Sequence, residues 1–221
     1  MLGVRNSWEL RMAANEARKR RGKPNLKGEQ SRETILKAAE RHFGEFGYRA
    51  VSTAAIANDA QISDPGLLHH FGSKDGLLMA LLNRRYSVDA EKLRAGENLS
   101  GEQLVDTLRT IVDENEGKRD EVKLTMVLLG ESIPHHHPGH EYFQARYVRA
   151  RTMFAGHVKE LQRRGELSDD LDPQALASVI IAVLDGLQMQ WLLDPAVNMS
   201  QAASAFLSLL SSALRPNEES A

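Results

Sequence analysis

Residues 52–71 read STAAIANDAQISDPGLLHHF, and the fold turns on how this stretch divides. Ser52 is a preferred helix N-cap, because its hydroxyl can accept from a backbone N–H that would otherwise have no partner. It opens a short helix from Thr53 to Ala60. Gln61 and Ile62 make a tight turn, and Ser63 caps a second helix that runs to about His70. Pro65 and Gly66 fall in the first turn of that helix, where a missing N–H is harmless. Ile56, Ala57, Ala60, Ile62, Leu67 and Phe71 then supply a small shared core. Two short helices joined this way have the spacing of a helix-turn-helix, whose second helix enters the DNA major groove. Helical hairpins are also common as purely structural pieces, so the spacing alone leaves both readings open.

Outward from this stretch the helical period continues. Upstream, from Ser31, Ile35, Leu36, Ala39, Phe43 and Phe46 lie on one stripe, and Gly47 offers a left-handed stop. Downstream, Ser73 starts a helix with Leu77, Leu78, Leu81, Leu82 and Tyr86 on its inner side. Ser100 and Gln103 form a capping box for a helix ending at Gly117. Lys118 to Ser132 follows until Pro134 breaks it, and a long helix from Pro138 to Arg164 stops at Gly165. Asp172-Pro173 opens another in the favoured cap and first-turn order. Its stripe includes Leu176, Val179, Ile180, Val183, Leu187 and Trp191, but Ile181, Ala182 and Met189 make it apolar nearly all round, so it needs cover on more than one side. A last helix, Ser200 to Leu214, has Phe206, Leu207, Leu210 and Leu214 on one face. There is no strand pattern and no repeat of 20–50 residues. The fold class is therefore all-α: an N-terminal three-helix unit around the candidate helix-turn-helix, followed by a larger helical part.

Composition narrows the function. The 221 residues contain no cysteine, which excludes a disulfide framework, a thiolate metal site and a cysteine nucleophile. No apolar run approaches the roughly 18 residues of a membrane span, and residues 1–28 lack the apolar core of a secretory signal, so the expected location is the cytoplasm, with no membrane partner. The net charge of -2 is unevenly spread: residues 1–80 carry 13 of the 28 Lys and Arg but only 9 of the 30 Asp and Glu, leaving 15 and 21 for residues 81–221. A basic beginning and an acidic remainder suit a DNA-binding end and a non-DNA end. Residues 1–28 alone hold eight Lys and Arg and little apolar surface, and read as a basic, flexible tail; residues 29–76 hold the candidate helix-turn-helix and 77–215 the remaining helices.

At the level of particular residues, 31–82 resemble the DNA-binding domain of the tetracycline-repressor (TetR) family of bacterial regulators. The matching string is Ile35-Leu36-Lys37-Ala38-Ala39, Phe43, Phe46-Gly47-Tyr48, Ile56-Ala57, Ile62-Ser63, Leu67, His69-His70-Phe71, Ser73-Lys74-Asp75 and Leu77-Leu78. Asp185-Gly186-Leu187-Gln188 and Trp191-Leu192-Leu193-Asp194 resemble the sensing domain of one subgroup. The resemblance implies an N-terminal three-helix helix-turn-helix domain, 29–76, as a DNA-binding head, followed by a helical sensing and dimerisation domain, 77–215, whose last two helices pair two copies as a four-helix bundle. It also implies repression relieved by a small-molecule effector. One departure is Leu68, where the family commonly has a tyrosine before the His/Tyr-Phe of the recognition helix; another is Asp64 at the groove entrance.

The candidate DNA-contacting residues are Ser52, Thr53, Ser63, Asp64, Pro65, Gly66, Leu68, His69, His70 and Lys74. Lys74 follows Ser73 at a helix start, where backbone N–H groups and a cation together attract phosphate; its plain alternative is a solvated lysine. The tail is an arm on DNA or merely solubilising sequence. Candidate effector contacts are Met126, Phe143, Tyr147, Phe154, Met189 and Trp191, equally readable as core. His135 to His140 holds four histidines, which makes a metal-responsive regulator the second reading, but neighbours on a turn cannot all face one ion, and a polar interhelix loop is the preferred account. A small helical enzyme is a distant third, since no phosphate loop, nucleophile elbow or paired carboxylates appear. No cofactor or resident metal is expected. The expected partners are double-stranded DNA with a near-palindromic operator, a second copy of the chain, and an unidentified small molecule.

Overall fold

The computed structural model describes residues 26–94 and 99–214; side chains are described from Gly28 and not from Arg85 to Arg94. The basic tail therefore lies almost wholly outside the described residues, as does the inward placement expected for Tyr86. Nine helices and no strand occur among the described residues. They are α1 (Leu26–Ala50), α2 (Thr53–Asp59), α3 (Asp64–Phe71), α4 (Lys74–Arg94), α5 (Gly101–Glu116), α6 (Arg119–Glu131), α7 (His140–Arg163), α8 (Pro173–Leu193) and α9 (Met199–Ala213).

Local chemistry sets most of the boundaries. The hydroxyls of Ser52, Ser63 and Ser100 and the carboxylate of Asp172 each accept a backbone N–H of the turn they open, and Gln103 returns the bond to Ser100 N–H at 2.9 Å. Asn198 caps α9 in the same way. Gly47, Gly72 and Gly165 take positive φ at the ends of helical runs, the left-handed conformation that costs glycine least. At Gly47 (φ 78°, ψ 168°) the backbone leaves helical geometry within α1.

Three clusters make the core. The first joins Ile35, Phe43 and Tyr48 of α1, Ile56 of α2, Leu67 of α3 and Leu77 of α4 to Leu124 and Leu128 of α6 and Phe143 of α7. The head is thus completed by two helices from beyond residue 100. The second gathers Leu108 of α5, Phe154, Val158 and Leu161 of α7, Ile180 of α8 and Leu207 of α9. A third, smaller one packs Val112, Met199 and Ala203 against Leu184, Leu187 and Trp191. Among helix pairs, α1 lies along α6, α7 along α8, and α5 along α9.

Two expectations are corrected. Phe46 was expected on the inner stripe of the first helix, but it is 62% exposed. The bend at Gly47 turns Tyr48 inward instead, and its ring packs 5.5 Å from that of Phe43. The second concerns apolar length: α8 has 21 residues, with an 18-residue stretch of mean hydropathy 1.6, so it is long and apolar enough to cross a membrane by composition alone. Only Ala177 and Ile180 of α8 are fully buried in the single chain, while Val179, Met189 and Leu193 stand 51%, 42% and 77% exposed and Leu209 of α9 71%. The cover that its apolarity calls for is supplied on one side only.

Candidate DNA-binding interface

The helix-turn-helix forms around residues that face inward together. Ile56, Ala57, Ala60 and Leu67 are buried, with Ile62 and Phe71 packed against them. The turn between α2 and α3 closes through Gln61 N–H to Asn58 O at 3.1 Å and Ile62 N–H to Ala57 O at 3.0 Å. Gln61 pays for the tight reversal with φ 56°, uncommon for a residue with a Cβ. Arg32 of α1 pins the far end of α3: its guanidinium donates to His70 O at 3.1 Å and lies 4.3 Å from the centre of the Phe71 ring.

With the inner face so fixed, the outer face is settled. Ser52, Ser63, Pro65, Leu68 and His69 are exposed; Thr53, Asp64, Gly66, His70 and Lys74 are half-buried. The serine caps come first: Ser52 Oγ accepts from Ala55 N–H at 3.1 Å and Ser63 Oγ from Gly66 N–H at 3.2 Å. Gly66 lies close over its cap, since a Cβ there would meet Ser63 Oγ at 3.1 Å. One carboxylate oxygen of Asp64, Oδ1, is buried without a hydrogen-bond partner. The His69 and His70 rings stand edge to face with centroids 5.9 Å apart.

Lys74 is held more elaborately than a solvated lysine. Ser73 Oγ accepts from Gly76 N–H at 3.0 Å and so caps the start of α4, while Lys74 Nζ lies 4.3 Å from the centre of the Tyr48 ring, within cation–π range. The Tyr48 hydroxyl donates to Asp75, and its backbone N–H donates to Glu131 Oε2 at 2.6 Å. Burial lowers the Lys74 pKa, opposed by Asp75 and Glu131; burial and the bond to Asp75 raise that of Tyr48. Sequence reading gave Tyr48 a place in the family-like string but no contact of its own; the only sequence signal was its position beside a left-handed glycine.

The histidines of residues 135–140 take separate partners. His136 Nε2 lies 2.6 Å from an Arg49 nitrogen, the rings of His135 and His140 meet at a tilt with centroids 4.3 Å apart, His140 Nδ1 lies 2.9 Å from Ser132 O, and His137 is buried. Among the described residues no three His, Asp or Glu side chains gather as a metal site. The six candidate effector residues do not share one cluster in the single chain. Phe143 belongs to the first core, Phe154 to the second, and Trp191 packs on the third. Met126 is buried and Met189 exposed. The Tyr147 hydroxyl donates to Asp185 Oδ2 at 2.5 Å between α7 and α8.

Comparison with known proteins matches two regions of the chain. Residues 35–81 match the family described as bacterial regulatory proteins, tetR family, and residues 100–215 match the BetI-type transcriptional repressor C-terminal family. The A-factor receptor protein of Streptomyces griseus is 27% identical over 165 residues, which are 72% of this chain and 54% of that protein. The HTH-type transcriptional regulator UidR of Escherichia coli (strain K12) is 23% identical over 161 residues, covering 71% of this chain and 79% of UidR. A transcriptional regulator from Saccharomonospora viridis, solved in complex with choline, superposes with a TM-score of 0.72 at 22% identity, covering 84% of this chain and 98% of that one.

Proposed function

This chain belongs to the TetR family of bacterial transcriptional regulators, and from that premise we propose that it is a repressor that binds a near-palindromic operator as a dimer and leaves it when a small molecule binds. It is a DNA-binding regulator rather than an enzyme. The observation that carries the reading is the outer face of α3 together with Lys74: short polar and apolar side chains face outward from a fully packed helix pair, beside a cation at a capped helix start.

In this reading Ser63, Pro65, Gly66, Leu68, His69 and His70 face base edges and sugar-phosphate in the groove, and Asp64 sits at its entrance. Ser52, Thr53 and Lys74 contact phosphates, for which a helix start is suited. The exposed residues of α8 and α9, Val179, Met189, Leu193 and Leu209, pair two copies through an isologous face. The effector enters between α7 and α8, where the half-buried Tyr147–Asp185 pair is the polar element in apolar surroundings, and the protein acts in the cytoplasm. The test is selection of duplexes from random DNA by the full chain, followed by titration with small molecules, choline first because the Saccharomonospora viridis structure holds it. A recovered dyad motif that choline or another small molecule releases supports the proposal; recovery of no sequence preference would overturn it.

A further inference from the structure

His137, in the turn between α6 and α7, is 3% exposed. Its Nδ1 lies 3.1 Å from Gly139 N and 2.9 Å from Ser132 Oγ. The Gly139 N–H can only donate, so Nδ1 is the bare nitrogen and the neutral ring carries its proton on Nε2. Nε2 is buried and has no hydrogen-bond partner. The turn is closed tightly around this ring: a Cβ on Gly139 would meet Ser132 Oγ at 2.5 Å. An imidazolium needs a proton on both nitrogens, so it would aim an Nδ1–H at the Gly139 N–H. Protonation is therefore incompatible with the turn as it stands.

The same ring reaches the head. It stands edge-on to Tyr48, with centroids 5.1 Å apart, and Tyr48 carries Lys74 on its ring and Asp75 on its hydroxyl. A single run of contacts thus joins the α6–α7 turn to the start of α4.

We propose that neutral His137 is a positioning residue for the DNA-binding head, and that its protonation unlatches the α6–α7 turn from Tyr48 and weakens DNA binding. The proposal rests on the reading of α3 and Lys74 as DNA-contacting. The charged groups around the ring come from every neighbour: Glu131 from α6, Arg49 from the end of α1, Asp75 and, across the Tyr48 ring, Lys74 from α4, and His136 in the turn itself. His135 and His140 pack against one another at a tilt elsewhere in the turn. Burial lowers the His137 pKa from 6.5; Glu131 and Asp75 oppose this, and Arg49 and His136 add to it. A lowered folded-state pKa means that the neutral latch contributes fully above the ordinary histidine range and is lost as pH falls through the lowered value. Positive charge gained in acid strengthens attraction to phosphate, so a loss of affinity with acid is not the generic charge effect.

The experiment measures binding of the full chain to a duplex selected at about pH 7.5, then down to about pH 5.5, for wild type and His137→Asn. The asparagine oxygen can accept the Gly139 N–H but cannot be protonated. Wild type is expected to lose affinity as pH falls, roughly tenfold for each unit by which unlatching raises the His137 pKa, while His137→Asn holds or gains affinity. An equal decline in both overturns the proposal. If no duplex binds at neutral pH, the DNA reading fails by itself, and hydrogen exchange at the Gly139 and Tyr48 amides of the wild-type chain decides the latch; the same measurement decides it if the variant does not fold. Protection lost with acid, after allowance for the intrinsic rate, supports the latch, and unchanged protection overturns it.

Discussion

At Lys74 the difference between a positioned and a solvated cation is measurable. The Tyr48 ring below it and the capped helix start beside it predict that Lys74→Ala weakens binding to all duplexes alike and lowers the slope of log affinity against log salt by about one, as loss of a single phosphate contact requires; an unchanged slope would return Lys74 to the solvent. Phe43 and Phe46, three residues apart on α1, are expected to behave oppositely. Phe43, fully buried, should cost about 3–5 kcal/mol on truncation to alanine. Phe46, 62% exposed, should change urea stability by less than about 0.5 kcal/mol on replacement by serine. The caps at Ser52, Ser63, Ser100 and Asp172 were legible in the sequence because each depends only on the next three residues. The orientation of Phe46 was not, since period alone cannot register a bend that turns Tyr48 inward in its place. Nor was the role of Tyr48, whose partner Glu131 lies 83 residues away.

Among elements, α6 carries side-chain bonds to both the head and the end of α8. At its start, Arg119 donates to Trp191 O at 3.2 Å and Leu192 O at 3.0 Å and sits 4.6 Å from the Trp191 ring centre. At its end, Glu131 accepts from Tyr48 N–H. Its 13 residues span about 20 Å at 1.5 Å per residue. Arg119 takes up two carbonyls that the last turn of α8 leaves without helical partners. Arg119→Ala should therefore lower unfolding stability by about 1–3 kcal/mol, read by urea denaturation, and hydrogen exchange should localise the loosening to the end of α8. A uniform change across the chain would show that the contact does not hold this junction. The order and type of the helices were legible from period and punctuation. Which helices share a core was not, because the joining of α6 and α7 to the head depends on contacts far apart in sequence.

For the molecule as a whole, the uncovered residues of α8 and α9 predict a particle of about twice 24.6 kDa in solution at micromolar concentration, checked by light scattering; a stable monomer that still binds a dyad site would refute it. Two fixed copies of α3 also demand fixed half-site spacing, so inserting half a helical turn, about five base pairs, should abolish tight binding. The hydropathy of α8 has another consequence, which concerns the chain while it is being made. A newly synthesised segment of 21 residues with an 18-residue stretch of mean hydropathy 1.6 partitions between lipid and its own fold, and Asp185, near its middle, sets the balance. A carboxylate at the centre of a bilayer costs roughly 2.5–3.5 kcal/mol, whereas in the finished fold the same group receives the Tyr147 hydroxyl. Exchanging Asp185 for leucine removes the barrier to lipid and the reward for folding together, so part of the Asp185→Leu chain should sediment with membranes in an expressing cell.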